Sequence, residues 1–367
     1  MKLLRQTSQR EGGSLFIMSF KTQSNAIIAR TGLKRQPEEA GKNPQILQDN
    51  SHLGKERPWS KHKLKSGQLA ESYKRLNLKS KASRVNSCGG YLVFNECPQG
   101  HEKKLTTASF CKVRLCPMCA WRRSLVVFAQ LNKIIHVAAS RRKLKFAFLT
   151  LTVRNVGADQ LAPELDKLFH AWHKLMKRTE VKKALVGWFR GLEVTHNLEN
   201  DTYHPHFHVL LVVSPSYFSG QQYISQARWA DLWKESLDVD YTPIVHIQKV
   251  KPKREGQTVQ GAVAEIGKYA VKEEDYLTDN LDQTDSAVSV LDAVLPNRRL
   301  VAYGGILREI RKELKLADAE EADLIHVDDE NPEVCHCSVC QSELMKQIYT
   351  WHFGFKNYVK GDLRHDN

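Results

Sequence analysis

Tyr203-His-Pro-His-Phe-His-Val-Leu-Leu-Val-Val213 is the stretch that leaves this chain least freedom. Its apolar, β-branched second half reads as a buried strand, and in an extended chain side chains two residues apart share a face. His206 and His208 therefore project to one side while Phe207 and Val209 project to the other. Two imidazoles placed in this way can grip one metal ion. Just upstream, Trp188-Phe-Arg-Gly-Leu-Glu-Val-Thr195 reads as a second strand, and the turn-prone residues between the two predict a hairpin. Closed through a two-residue turn at Asn200-Asp201, that hairpin sets Glu193 opposite His208 and Thr195 opposite His206. A carboxylate with two imidazoles suits Mn²⁺ or Mg²⁺ with open positions for a phosphate, whereas a structural zinc wants sulfur or four closed ligands.

The chain is basic: 55 Lys and Arg against 41 Asp and Glu give +14 over 367 residues. Such an excess favours polyanionic partners, nucleic acid first among them. No apolar run approaches the length of a membrane span, and the first residues lack the apolar core of a signal peptide, which points to the cytoplasm and away from membranes. The eight cysteines gather in metal-ligand spacings rather than a dispersed disulfide framework, in keeping with a reducing compartment.

In chain order, residues 1–85 read as a basic, mostly disordered arm. Residues 86–125 read as a cysteine-rich zinc module. There Cys116-x-x-Cys119 presents two thiolates to one ion, Cys111 and Cys88 complete a tetrahedral set, and Cys97 and His101 are left as spares. Lys112, Arg114, Arg122 and Arg123 around it suggest phosphate contacts.

Residues 126–316 alternate between the two periodicities: a helix from Trp121 to about Ser140, a strand at 145–153, a helix at 159–178, the hairpin, a helix at 225–237 with core residues Trp229 and Trp233, and a strand at 244–250. The order βαββαβα predicts an α+β fold, a central antiparallel sheet with flanking helices. No G-x-x-x-x-G-K-[ST] follows any strand, which argues against a nucleotide-driven motor.

After the last of these strands, residues 259–276 have a helical pattern that lines up Glu265, Tyr269 and Lys272 on one face. A tyrosine can attack a phosphate, a lysine can favour its phenolate or steady developing charge, and a glutamate can activate water. Residues 317–367 read as an acidic linker and a cysteine-rich tail. In that tail Cys335, Cys337 and Cys340, with His336 or His352, suggest a second zinc whose fourth ligand the spacing does not assign.

These residues carry a resemblance. Phe148-Leu-Thr-Leu-Thr152, His204-Pro-His-Phe-His-Val-Leu-Leu211 and Glu265-Ile-Gly-Lys-Tyr-Ala-Val-Lys272, in that order, resemble the three motifs of the HUH-endonuclease initiators of rolling-circle plasmids, in the branch that pairs one tyrosine with a glutamate. Arg190-Gly-Leu-Glu-Val-Thr195 and the cysteine-rich residues 110–124 look like the same branch, and together the likeness covers roughly residues 88–315. It implies a ferredoxin- or RRM-like sheet and a catalytic Mn²⁺ or Mg²⁺ on His206 and His208. It also implies that Tyr269 nicks plasmid origin DNA, single-stranded at the nick, and keeps the 5′ end as a phosphotyrosine. Glu265 would direct the terminating water, and a host helicase and DNA polymerase would be partners. Glu193 as third metal ligand rests on the hairpin register, and structural zinc on Cys88, Cys111, Cys116 and Cys119. Two other readings fit part of the same pattern: an HUH transposase or mobilisation relaxase, and a non-catalytic, zinc-dependent DNA-binding regulator.

Overall fold

The computed structural model describes residues 44–51, 54–250, 272–327 and 336–361. Its elements in chain order are α1 (Trp59–Arg75), α2 (Lys79–Ser87), β1 (Tyr91–Glu96), β2 (Lys103–Ala108), α3 (Pro117–Arg141), β3 (Lys145–Thr152), α4 (Leu161–Lys177), α5 (Thr179–Ala184), β4 (Leu185–Asn197) and β5 (Thr202–Val213). They continue with α6 (Gln226–Leu237), β6 (Val245–Lys249), α7 (Leu281–Val294), β7 (Val301–Gly305), α8 (Ile306–Glu313), β8 (Met345–His352) and β9 (Asn357–Gly361). The chain divides into two compact units. One comprises Met1–Glu56, Tyr91–Thr107 and Glu333–Asn367, the other Arg57–Gly90 and Ala108–Pro332.

The larger unit is built on a five-stranded sheet in the order β6-β3-β5-β4-β7, with each of these pairings antiparallel. Strand alternation decides which helices cover which face. Leu210 and Val212 of β5, Phe146 and Phe148 of β3 and Phe189 of β4 share a core with Val127, Leu131 and Ile134 of α3 and Leu307 and Ile310 of α8. The intervening Phe207 meets Trp172 of α4 on the opposite face, ring centroids 5.8 Å apart. Trp229 and Trp233 of α6 are fully buried, as the sequence suggests, and Trp233 Nε1 donates to the Thr152 carbonyl at 2.8 Å. Ser225 caps α6 by accepting from Arg228 N at 3.2 Å, a contact whose loss costs about 1 kcal/mol in comparable helices. The α+β expectation of an antiparallel sheet with flanking helices holds.

The hairpin closes differently from the expected two-residue turn. Asn197 pairs with Thr202, and residues 198–201 form the loop. Asn197 Oδ1 accepts from Glu199 N at 3.0 Å and Asn200 N at 3.2 Å, while Asp201 takes a left-handed φ of 46°. This side-chain-stabilised turn needs two more residues than the tight turn does. The register therefore slips by two: Glu193 lies opposite His206, Thr195 opposite His204, and Gly191 opposite His208. A slip of two leaves every side chain on its expected face.

Two further expectations are corrected. The basic arm does not run to residue 85, because α1 and α2 occupy residues 59–75 and 79–87. Trp59, Leu69, Ala70 and Tyr73 of α1 are buried, Arg75 grips Asp285 through two bonds of 2.7 and 2.8 Å, and Tyr73 donates to Asp292 at 2.7 Å. Residues 86–125 are not one module either. Residues 91–107 belong to the smaller unit with the C-terminal segment, and the flanking cysteines belong to the larger one. In the smaller unit a four-stranded sheet runs β2-β1-β8-β9, so the expected tail is half of a sheet. Among the described residues no helix is long and apolar enough to cross a membrane.

Candidate metal centres

His206 and His208 continue, toward the start of β5, the row that Leu210 and Val212 begin in the core. The flanking strands finish the site. Because Gly191 sits opposite His208 and brings no side chain, Glu193 can reach across the diagonal to that imidazole. Its Oε2 lies 2.9 Å from His208 Nε2 and 3.7 Å from His206 Nε2, and the two Nε2 atoms are 3.2 Å apart. All three ligand atoms fall within 4.8 Å of one another.

Each ring is oriented from behind. His206 Nδ1 stands 3.0 Å from the His204 carbonyl, an oxygen that only accepts, so that nitrogen carries the proton and Nε2 offers its lone pair to the site. The Thr150 hydroxyl, 3.3 Å from His208 Nδ1, can fix the second ring in the same sense. Thr150 and Thr152 of β3 lie opposite His208 and His206. Of the two, only Thr150 touches a site ring; the Thr152 hydroxyl donates to the Ile244 carbonyl at 2.8 Å.

Glu193 is buried, and burial works against its ionisation. The close approach of His206, His208 and the Lys272 ammonium outweighs that cost and holds its carboxyl well below the usual carboxylate range. The Lys272 ammonium lies 2.6 Å from Glu193 Oε1. This differs from the expected place of Lys272 on one helix face with Glu265 and Tyr269. Lys272 is extended, with φ −82° and ψ 149°, and heads a 3₁₀ turn at Glu273–Asp275, so the helical pattern does not continue to residue 276. The turn is anchored: His196 Nδ1 lies 3.1 Å from the Asp275 carbonyl, and the Tyr276 hydroxyl donates to the Leu115 carbonyl at 2.5 Å. Glu265 and Tyr269 lie outside the described residues.

A second group, Cys88, Cys111, Cys116 and Cys119, also has its ligand atoms within 4.8 Å of one another. Cys116 occupies the position just before α3, with Pro117 in the first helical position, and Cys119 follows about one turn later. Sulfur separations of 3.5 Å (Cys88 to Cys119) and 3.7 Å (Cys111 to Cys119) approach the edges of about 3.8 Å of a tetrahedron with metal–sulfur bonds near 2.3 Å. Backbone N–H groups of Cys111 and Lys112 point at Cys88 and Cys119 sulfurs from 3.4 and 3.3 Å. Lys63, buried beside the set, donates to the Asn86 and Cys88 carbonyls at 2.7 and 2.8 Å; burial lowers its pKa, against the opposing pull of the nearby thiols.

The arginines around this set are not free for phosphate. Arg122 donates to the Leu324 and Ile325 carbonyls at 2.7 and 2.8 Å, Arg123 to the Lys112 carbonyl at 2.8 Å, and Arg114 is paired with Glu320. The expected basic surface is largely internal wiring. A third group, Cys97, His101, Cys337 and Cys340, lies within the smaller unit.

The replication-protein family model Rep_1 matches residues 102–359. A "Protein rep" of Bacillus amyloliquefaciens is 44% identical over 336 residues, 86% of this chain and 97% of the relative. Proteins of the same name from Streptococcus pneumoniae serotype 2 and Lactiplantibacillus plantarum are each 39% identical, covering 85% and 86% of this chain and 95% and 98% of their own lengths. No solved structure matches.

Proposed function

The chain belongs to the Rep_1 replication-protein family, and from that premise we propose that it initiates plasmid rolling-circle replication by nicking one strand of the origin through Tyr269. The observation that carries this reading is the convergence of Glu193, His206 and His208 within 4.8 Å. A carboxylate and two oriented imidazoles suit Mn²⁺ or Mg²⁺, which when bound would neutralise charge on a phosphate. The strand order β6-β3-β5-β4, reached through β3-α4-α5-β4-β5-α6-β6, is the order expected of a ferredoxin- or RRM-like split βαβ sheet and supports this reading.

In this reading the phenol of Tyr269 gives up its proton, its oxygen attacks the scissile phosphorus, and the 3′ oxygen of the preceding nucleotide leaves to prime a host polymerase. Zinc on Cys88, Cys111, Cys116 and Cys119 would join the end of α2, the segment at residue 111 and the start of α3 as a folding element.

Incubation with a single-stranded origin oligonucleotide and Mn²⁺ is expected to give a protein–DNA species that survives denaturation and disappears with chelator. A DNA-binding regulator makes no such species, so its absence with origin DNA that the protein binds would overturn the proposal.

Glu265 separates starting from stopping. Attack by Tyr269 needs no additional water, but hydrolytic termination needs a base within reach of one. Glu265→Ala should nick and form adduct within about twofold of the wild type, yet fail to release unit-length single-stranded circles and accumulate longer products. Equal loss of both steps, or normal termination products on a sequencing gel, would remove Glu265 from this role.

A further inference from the structure

The smaller unit presents four ligand atoms that the family reading leaves unused. We propose that Cys97, His101, Cys337 and Cys340 form a second, independent structural zinc site that fastens the two chain-distant halves of this unit together.

The four ligand atoms lie within 4.8 Å of one another, close enough to share one ion. Cys97 and Cys340 sulfurs are 3.5 Å apart, and His101 Nδ1 lies 3.8 Å from Cys97 and 3.9 Å from Cys337 sulfur. Tetrahedral zinc with three sulfurs and one nitrogen has edges of about 3.5 Å between sulfur and nitrogen and about 3.8 Å between sulfurs. A disulfide would instead bring two sulfurs to about 2.05 Å.

Each pair of ligands sits in its own preformed turn. In the first, Cys97 N donates to the Glu102 carbonyl and Gly100 N to the Cys97 carbonyl, both at 2.8 Å, with Gly100 at φ 76°. In the second, Cys337 N donates to the Ser342 carbonyl at 2.8 Å and Gln341 N to the Cys337 carbonyl at 2.9 Å, with Gln341 at φ 59°. The Glu102 carboxylate links the turns by accepting from Ser338 N at 3.2 Å and from the Ser338 hydroxyl. The turns meet because Glu96, beside Cys97, pairs with Met345 where β1 crosses the start of β8.

Hydrophobic burial does not explain this corner. The buried cluster here consists of Cys97, Cys337 and Leu344, so two of its three members are thiols. The described part of the unit is also small, roughly 50 residues, in the range where a metal or disulfide commonly supplements the core. Three thiolates with one imidazole and no open position favour zinc over Mn²⁺ or Mg²⁺. Cys335, one of the residues the sequence offers for a second zinc, lies outside the described residues, and His336 and His352 are not in the set.

The test is elemental analysis of the full-length protein purified with added zinc and without chelator. The wild type should carry two zincs per chain. Cys337→Ser with Cys340→Ser should carry one, and limited proteolysis within 336–361 should accelerate at least tenfold. Should that variant prove insoluble, His101→Cys keeps four ligands and must still hold two zincs, whereas His101→Ala must release one zinc to a chromogenic chelator at least tenfold faster than the wild type. An unchanged zinc content in the double-serine variant, equal release rates for His101→Ala, or a Cys97–Cys340 disulfide mapped in freshly prepared protein would each overturn the site.

Discussion

Tyr269→Phe is expected to fold and to bind origin DNA with unchanged affinity while losing the covalent adduct entirely and nicking at least about a thousandfold more slowly. The substitution removes one oxygen and alters nothing else of the side chain's size. Whatever cleavage persists would have to come from water, without the proximity a side-chain nucleophile supplies. Tyr276, the nearest alternative tyrosine in the sequence, is 1% exposed and its hydroxyl is bound to the Leu115 carbonyl, so it is not free to replace Tyr269. Adduct formation on a labelled oligonucleotide, followed by peptide mapping of the wild-type adduct, checks both statements. A phenylalanine variant that still carries DNA, on any tyrosine, would end the assignment.

Replacing His206 and His208 together by Ala should have an effect of similar size through a different loss. Nicking should fall at least about a thousandfold at any Mn²⁺ concentration, because only Glu193 would remain of the ligand set. That carboxylate keeps the Lys272 ammonium 2.6 Å away, so the double variant does not strand a buried charge and the fold should survive. The cysteine sets share no ligand with this site, and the zinc content should therefore be unchanged. Calorimetric Mn²⁺ titration beside nicking and circular dichroism separates lost metal from lost structure. Activity that ignores both the double variant and a chelator would refute metal-assisted cleavage.

The sheet and its His-x-His face were legible in the sequence because strand periodicity is local and repeats along each element. The register was not. It depended on whether Asn200-Asp201 turned alone or Asn197 drew its side chain over the loop, and both turns suit those residues. Even so, Glu193 reached the histidines, since a slip of two conserves the face. The helix α1 was hidden by its composition: its buried positions recur at three- and four-residue spacing, but His62, Lys63 and Ser66 stand among them, so the segment resembles a solvated arm. Cys97 and His101 appeared surplus because Cys340, which lies 3.5 Å from Cys97, is 243 positions away. No local pattern reveals a ligand that distant.

The pairing of β1 with β8, Val93 against Ile348, also sets an order of events during synthesis. Residues 91–96 leave the ribosome long before their partners at 345–350 exist, whereas most of the larger unit's chain lies between the two and can begin to fold in the interval. Closing so long a loop is slow compared with forming the β4–β5 hairpin, whose strands are joined by residues 198–201. The smaller unit is therefore the last part of the chain to form. A prematurely terminated product lacking residues 345–361 would leave β1 and β2 as an unpartnered hairpin, exposing a strand edge open to aggregation.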